Sequence, residues 1–249
     1  MNSLRRFTMA RVGLGRAGDA LPVREVLDFR RAHAAARDAV HERLDVANLR
    51  MECGQRGWTC TTVHSAARDR AEYLRRPDLG RTPREEAGEF LPPGPFDAAI
   101  IVADGLSALA VHRHVVPVLE RLLPKLQATE WTLAPLVLVE QGRVAIGDPI
   151  AQWIQARLSL VLIGERPGLS SPDSLGAYLT WNPSPGRTDA ERNCISNIRP
   201  EGLGYDAAAE RIFVLMTESR RRQLSGVALK EGAMAQLNQT CTEKSQESV

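Results

Sequence analysis

Residues 98–126 read AAIIVADGLSALAVHRHVVPVLERLLPKL, and this stretch decides the fold class. Its first part, residues 98–103, is an unbroken apolar run, which is typical of a strand buried on both faces of a sheet. Ser107 then provides the N-cap of a helical pattern that continues to about residue 126. The stretch therefore predicts a β-strand followed by an α-helix, the repeating unit of a parallel α/β sheet.

The same alternation of apolar runs and helical patterns extends on both sides of this unit. Further predicted strands cover residues 58–63, 133–139, 158–163 and 177–181, and further predicted helices cover residues 22–44, 148–156 and 205–224. Strands that alternate with helices pair in parallel through right-handed crossovers. The predicted fold class is therefore α/β, a Rossmann-like parallel sheet with flanking helices, preceded by an N-terminal helical arm.

Changes in composition divide the chain into segments. A Pro/Gly-rich stretch at 91–95 ends the predicted N-terminal helical and irregular arm, residues 1–95. Residues 96–230 form the predicted Rossmann-like α/β domain, which is expected to contact the ligand. Residues 231–249 form a polar C-terminal tail to which no role is assigned.

Composition argues against several classes of function. The 32 Lys and Arg residues nearly balance the 30 Asp and Glu residues, so nothing favours a nucleic-acid partner. The sequence has no apolar run of about 18 residues, the length that a membrane helix needs. The four cysteines are irregularly spaced without a CxxC pair, which fits free thiols in a reducing compartment. These features predict a globular cytoplasmic protein.

Glycine-containing loops follow three of the predicted strands, at residues 104–107, 141–144 and 164–171. The carboxyl ends of parallel strands meet at one edge of a sheet, where open α/β folds bind ligands. Glycines would let a bulky planar ligand approach the backbone, and Glu165 and Arg166 offer polar groups. The loops therefore predict a ligand site, with ordinary strand-to-helix turns as the alternative interpretation.

A long polar segment, residues 186–200, precedes the last helix and is interpreted as a loop. Loops of this length in a compact domain are usually functional. Cys194 lies within it, either as a reactive thiol or as a small packing or ligand-contact residue. The second interpretation is favoured because no histidine lies nearby in sequence.

The sequence contains no recognisable catalytic set or metal site of its own. Its histidines lack the spacing of metal ligands, and neither a Gly-x-Ser-x-Gly elbow nor a phosphate-binding GK[ST] loop occurs. Residues 13–18, GLGRAG, match the glycine spacing of a dinucleotide-binding turn. Such a turn must follow a strand, and its acidic partner must end a second strand, whereas Asp38 lies in a helical pattern. A flexible turn before the first helix is the favoured interpretation.

Several stretches resemble the small (light) subunit family of ethanolamine ammonia-lyase. They are ARVGLGRAG at 10–18, RRPDLGR at 75–81, DGLS at 104–107, GERPGL at 164–169 and DAERNCISN at 189–197. The resemblance extends from about residue 10 to about residue 230, and its GERPG and RNCISN strings are highly specific.

The resemblance implies ethanolamine catabolism by an enzyme that converts ethanolamine to acetaldehyde and ammonia in a radical mechanism, with adenosylcobalamin as cofactor. It also implies a large partner subunit, whose TIM barrel holds the substrate and most catalytic side chains and faces the small subunit across the corrin. The cofactor-binding residues implied for this chain are Val144, Glu165 and Cys194, with no catalytic residue and no metal ligand. No Asp-x-His-x-x-Gly string is present to supply a histidine to cobalt, so the cofactor is expected to keep its own benzimidazole as lower ligand.

The sequence also bears on the cellular location of the protein and leaves two alternative functions. Family members that enter bacterial microcompartments often carry a longer N-terminal extension, so the cytoplasm is the favoured location and a microcompartment the less favoured one. A non-catalytic corrinoid-binding or scaffold protein that has lost its large partner is the first alternative function. A nicotinamide oxidoreductase is the second, and it requires the turn at 13–18 to follow a strand of the sheet.

Overall fold

A computed structural model describes residues 10–229 of the chain. The predicted tail at 231–249, with Cys241, lies outside the described residues. The helices are α1 (Val23–His41), α2 (Val46–Gln55), α3 (Arg70–Arg75), α4 (Ala108–Ala128), α5 (Gly147–Ile154) and α6 (Tyr205–Arg222). The strands are β1 (Cys60–His64), β2 (Phe96–Ala103), β3 (Leu136–Glu140), β4 (Ala156–Gly164), β5 (Leu175–Trp181) and β6 (Arg192–Ile198).

The strands form one six-stranded sheet in the order β1-β3-β2-β4-β5-β6. The α/β class, the flanking helices and the N-terminal helical arm are confirmed. The prediction of an entirely parallel sheet is wrong: β1, β3, β2 and β4 are parallel, whereas β5 is antiparallel to β4 and β6 is antiparallel to β5. The reason lies in residues 165–174, which contain no helix, so the chain turns back at the same edge of the sheet.

Strand β6 corrects the interpretation of residues 186–200 as a loop. The segment contains a short 3-10 helix, Asp189–Glu191, followed by β6. Asn193 occupies a buried position, where its side-chain amide donates to Gly226 O at 3.0 Å and its Oδ1 accepts from Gly226 N at 2.7 Å. Because this buried position is polar, the alternation of a strand is hidden in the sequence.

Helices cover the two faces of the sheet unequally. The helix-covered face packs against α2, α4 and α6, and its buried strand residues include Ile100, Val102, Leu138, Leu160, Leu162, Ala177, Leu179 and Ile195. The opposite face, here called the α5 face, packs against α5 through Ala99, Ile101, Ala103, Val137, Val139, Val161 and Ile163. On β5 and β6 the α5 face also presents Tyr178, which is partly buried, and Cys194, which is exposed.

Helix α4 begins where the sequence predicts. The Ser107 side chain accepts a hydrogen bond from Ala110 N at 3.3 Å, which satisfies one of the free amides of the first turn. Its apolar side then packs against the sheet, with Val111, Leu119 and Leu122 fully buried. Among residues 10–229, no helix is long and apolar enough to cross a membrane.

The N-terminal region contributes an edge strand to the sheet, because β1 pairs with β3. The predicted division at residue 95 stays a prediction, and the sheet takes strands from both sides of it. Ahead of the turn at 13–18, residues 10–12 form no strand, and α1 leads into α2 rather than into a second strand. The βαβ unit that dinucleotide binding requires is therefore missing from the described part of the chain, so a nicotinamide oxidoreductase is excluded as an interpretation of this turn.

Candidate functional site

The loops after β2, β3 and β4 converge at one edge of the sheet, as predicted from their positions after strands. They enclose a cleft of about 140 Å³ that contains Val144 and Glu165. The full lining is Tyr73, Gly105, Leu106, Arg143, Val144, Ile163, Gly164, Glu165, Arg166 and Tyr178. Strand β2 lies between β3 and β4, so Val144 and Glu165 approach each other from strands that are not neighbours.

Cys194 lies beside this cleft, on β6 and not in a loop. It is directly opposite Tyr178 of β5. Burial raises the pKa of Tyr178, and the neighbouring Cys194 raises it further. Tyr178 in turn lines the cleft. The structure therefore places Val144 and Glu165 in one cleft and Cys194 beside it, next to Tyr178. The role of these three residues in binding stays a prediction.

The Glu165 carboxylate is occupied by neighbours in the chain. Its Oε1 accepts from Ser196 Oγ at 2.6 Å, and its Oε2 accepts from Asn197 N at 3.1 Å and from Ser174 Oγ. Among residues 10–229 it makes no ion pair with Arg166 or another arginine. An ionised carboxylate has about four acceptor positions, so roughly one remains for a ligand. Within this chain, the main role of Glu165 is to join β6 to the connection between β4 and β5 through these hydrogen bonds.

The sequence predicted that the loop glycines let a ligand approach the backbone. In the structure, Gly105 and Gly164 instead allow the loops to pack closely against each other. Gly105 has a φ of +57°, and a Cβ on it would lie 2.2 Å from Gly164 O. A Cβ on Gly164 would lie 2.0 Å from Ser107 O. The backbone after β2 is thus packed directly against the end of β4, and no side chain fits between them.

A buried ion pair beneath the cleft fixes the turn that carries Val144. Asp104 Oδ1 accepts from Gly142 N at 2.9 Å, and its Oδ2 lies 3.3 Å from Arg70 Nη1, which also donates to Gly105 O at 2.8 Å. Burial raises the pKa of Asp104 to about 6, and the Arg70 guanidinium opposes this shift. The carboxylate is therefore ionised at neutral pH and holds the loops after β2 and β3 together.

Tyr73 supports the same turn from the N-terminal region. Its ring lies between the guanidinium groups of Arg70, at 4.8 Å, and Arg143, at 4.3 Å, while its hydroxyl donates to Gly142 O at 2.9 Å. A Cβ on Gly80 would lie 2.8 Å from both Tyr73 and Arg143. Sequence reasoning did not single out Arg70 or Tyr73, although the adjacent RRPDLGR stretch at 75–81 contains Gly80.

The segment between β4 and β5 is anchored on the other side by Asp173. Its Oδ2 accepts from Arg113 Nη1 at 2.7 Å and lies 3.5 Å from His114 Nε2. His114 is 3% exposed, and its Nδ1 lies 2.9 Å from the Tyr205 hydroxyl. Burial lowers the pKa of His114, which keeps the ring neutral near pH 7. His114 is therefore structural, in agreement with the absence of metal-ligand spacing among the histidines of the sequence.

A second buried ion pair joins β6 to α5. Arg192 donates from Nη1 to Asp148 Oδ1 at 2.8 Å and from Nη2 to Oδ2 at 2.6 Å, with both side chains 2% exposed. Nη1 also donates to Thr180 Oγ1 at 2.9 Å. This bidentate pair fixes the start of α5 against the start of β6. Cys194, two residues further along β6, is exposed.

Within residues 10–229 no group of His, Cys, Asp and Glu side chains has the arrangement of a metal site. The fold and the cleft define a class: an α/β protein with a small, partly apolar cleft at a sheet edge, beside an open sheet face. Sheet edges of this kind are common places for ligand sites in α/β proteins.

Comparison with known proteins assigns the family. Residues 1–230 match the model of the family described as Ethanolamine ammonia-lyase light chain (EutC). The chain belongs to this family, which confirms the resemblance seen in the sequence.

Curated relatives agree with the family match. The "Ethanolamine ammonia-lyase small subunit" of Pseudomonas fluorescens (strain Pf0-1) is 57% identical over 239 residues, which cover 94% of this chain and 87% of the relative. A protein of the same name from Ralstonia nicotianae is 54% identical, covering 93% of this chain and 88% of the relative. The one from Pseudomonas aeruginosa (strain UCBPP-PA14) is 56% identical, covering 94% and 88%.

Proposed function

We propose that the chain is the small subunit of an adenosylcobalamin-dependent ethanolamine ammonia-lyase, which converts ethanolamine to acetaldehyde and ammonia together with a large subunit. The observation that supports this most is that Val144 and Glu165 line one cleft at the sheet edge, while Cys194 lies beside it, opposite the cleft residue Tyr178. The resemblance selected these three residues from separate stretches of sequence.

The residues at this edge fit a bulky cofactor that the chain holds only in part. A cleft of about 140 Å³ is smaller than the roughly 300 to 1,000 Å³ of pockets that enclose a drug-sized ligand. Val144, Ile163 and Tyr178 offer apolar surface, and Cys194 is exposed beside them. A ligand on this surface needs cover from another protein, in agreement with relatives that are named small subunits.

In this proposal the chain contributes binding and enclosure. Val144 packs against the cofactor, Glu165 accepts one further hydrogen bond from a cofactor amide, and Cys194 contacts the cofactor from the open face. Adenosylcobalamin supplies the radical chemistry through its cobalt–carbon bond. The cofactor is proposed to keep its own benzimidazole as lower ligand, because the sequence has no Asp-x-His-x-x-Gly string.

The cleft of this chain offers no paired acid and base aimed at a substrate. Asp104, the cleft-adjacent carboxylate with a raised pKa, is 1% exposed and bound to Arg70 and Gly142. We therefore assign the substrate-handling residues to the large subunit. We place the complex in the cytoplasm, with a bacterial microcompartment as the less favoured location.

Reconstitution tests this proposal. Purified small subunit alone should show no ammonia release from ethanolamine with adenosylcobalamin, and mixing with the large subunit should produce it. The complex should also co-elute in size-exclusion chromatography. A complex that forms and binds cobalamin but never turns over would favour the alternative, a corrinoid-binding scaffold protein.

A further inference from the structure

Tyr178 lies between the cleft and Cys194, and the sequence analysis did not identify it as a site residue. On β5 it pairs with Val161 of β4 on one side and with Cys194 of β6 on the other. It lines the same cleft as Val144 and Glu165. It thus lies between the cleft and the open part of the α5 face.

The ring of Tyr178 is held against the sheet. A Cβ on Gly176 would lie 3.0 Å from Tyr178 Cε2 and 2.9 Å from Glu165 Oε1, so the ring and the carboxylate share the space above this glycine. A larger residue at position 176 would have to displace the Tyr178 ring and the Glu165 carboxylate. The ring is placed by this packing before any ligand arrives, which reduces the entropy cost of binding.

The phenol of Tyr178 is uncharged at neutral pH. Burial raises the pKa of Tyr178, and Cys194 and Glu165 raise it further, so the side chain stays protonated. Tyr73, the other aromatic side chain of the cleft, differs because it is fully buried and lies between two arginines. Of the two rings, only that of Tyr178 is partly exposed to a ligand.

We propose that Tyr178 is a further cofactor-contact residue, whose ring packs against the cobalamin beside Cys194. This inference rests on the proposed function. An aromatic side chain suits such a place, because its ring supplies a large apolar contact area.

The test is a titration of the assembled two-subunit complex with adenosylcobalamin in the dark, followed by absorbance. Tyr178→Ala should raise the Kd about tenfold, the loss expected for one partly buried aromatic contact. Tyr178→Phe keeps the ring and should stay within about threefold of wild type. Phe213→Leu, which removes an aromatic ring of α6 on the helix-covered face, is the matched control and should leave the Kd unchanged.

Tyr178→Leu separates ring contact from simple filling of space. If Tyr178 only fills volume over Gly176, the leucine should restore wild-type affinity; if the ring contacts the cofactor, affinity should stay weakened while phenylalanine restores it. Leucine also serves in place of alanine if the alanine variant does not assemble. If the wild-type complex binds cobalamin and the leucine variant binds it with wild-type affinity, the inference is overturned and the proposed function is left standing. A wild-type complex that binds no cobalamin refutes the proposed function itself.

Discussion

The two faces of the sheet are covered to different extents, and the candidate site lies where the cover ends. On the helix-covered face, α4 and α6 pack over strand residues that are nearly inaccessible, such as Leu160 at 1% exposure and Ile195 at 9%. On the α5 face, α5 packs against β2 and β4, and Cys194 on β6 remains exposed. Strand β6 is therefore buried on one face and accessible to a ligand or partner on the other.

The largest loss of stability is expected at the buried Arg192–Asp148 ion pair, which joins β6 to α5. Arg192→Met leaves Asp148 buried without its partner and should lower the free energy of unfolding by about 3 to 5 kcal/mol. Urea unfolding of the isolated chain measures it. Adding Asp148→Asn to the same variant should recover much of the loss. Arg76→Met, at the exposed pair with Asp78, should leave the unfolding midpoint unchanged.

A core substitution on the helix-covered face should be the next most damaging. Leu160→Ala removes a side chain that is 1% exposed and should cost about 3 kcal/mol of stability, since the surrounding helices cannot close the cavity fully. Its effect on cobalamin affinity at a temperature where the variant is folded should be small. A large loss of affinity without a loss of stability would contradict the separation of the two faces.

The sequence predicted the parts of this fold that depend on local pattern. The apolar runs of β2, β3 and β4 and the Ser107 cap gave strands and a helix within a few residues of their observed ends. The direction of β5 was not predictable from its own residues, because it depends on residues 165–174 containing no helix. Strand β6 was missed because Asn193, at a buried position, is satisfied by the distant Gly226 backbone.

The site was predictable only in outline. The edge followed from the order of strands and loops, whereas Val144, Glu165 and Cys194 came from family resemblance. The supporting contacts are long-range: Arg70 and Asp104 are 34 positions apart, and Glu165 and Ser196 are 31 apart. No spacing rule connects such residues. Tyr178 could be placed on a strand from sequence, but its exposure depends on where α5 ends.

Glu165 lies in the cleft beside the open part of the α5 face, so its removal should affect cofactor binding. Glu165→Ala should weaken cobalamin binding by about tenfold to a hundredfold, because hydrogen bonds to a charged acceptor contribute roughly 1.5 to 3 kcal/mol. Part of that loss should arise through Ser196 and Asn197, whose donors lose their acceptor. Ser196→Ala should therefore weaken binding in the same direction but less. Turnover at saturating cofactor should fall much less than affinity.

The matched control for this carboxylate is Glu201→Ala. Glu201 is 69% exposed and lies 3.8 Å from Arg199, just beyond β6. Its removal should leave cobalamin affinity unchanged. Equal effects of the Glu165 and Glu201 variants would show that general charge near β6, and not the contacts of Glu165, governs binding.

The smallest effect on stability is expected at Cys194 itself. Cys194→Ser keeps a small polar group beside Tyr178 on the exposed side of β6, so the free energy of unfolding should change by less than about 0.5 kcal/mol. Thermal unfolding of the isolated chain measures it. A loss near that of Leu160→Ala would show that the α5 face is closed at β6 in solution.

Cys194→Trp should block the open part of the α5 face, where we propose that the cofactor binds. The exposed position on β6 can accept the larger side chain without disturbing the core, while the indole occupies the surface beside the cleft. Met51→Trp, at a 56% exposed position on α2, is the control. Absorbance titration of the assembled complexes with adenosylcobalamin should show affinity reduced about a hundredfold for Cys194→Trp and unchanged for Met51→Trp. Wild-type affinity in an assembled Cys194→Trp complex would contradict the account.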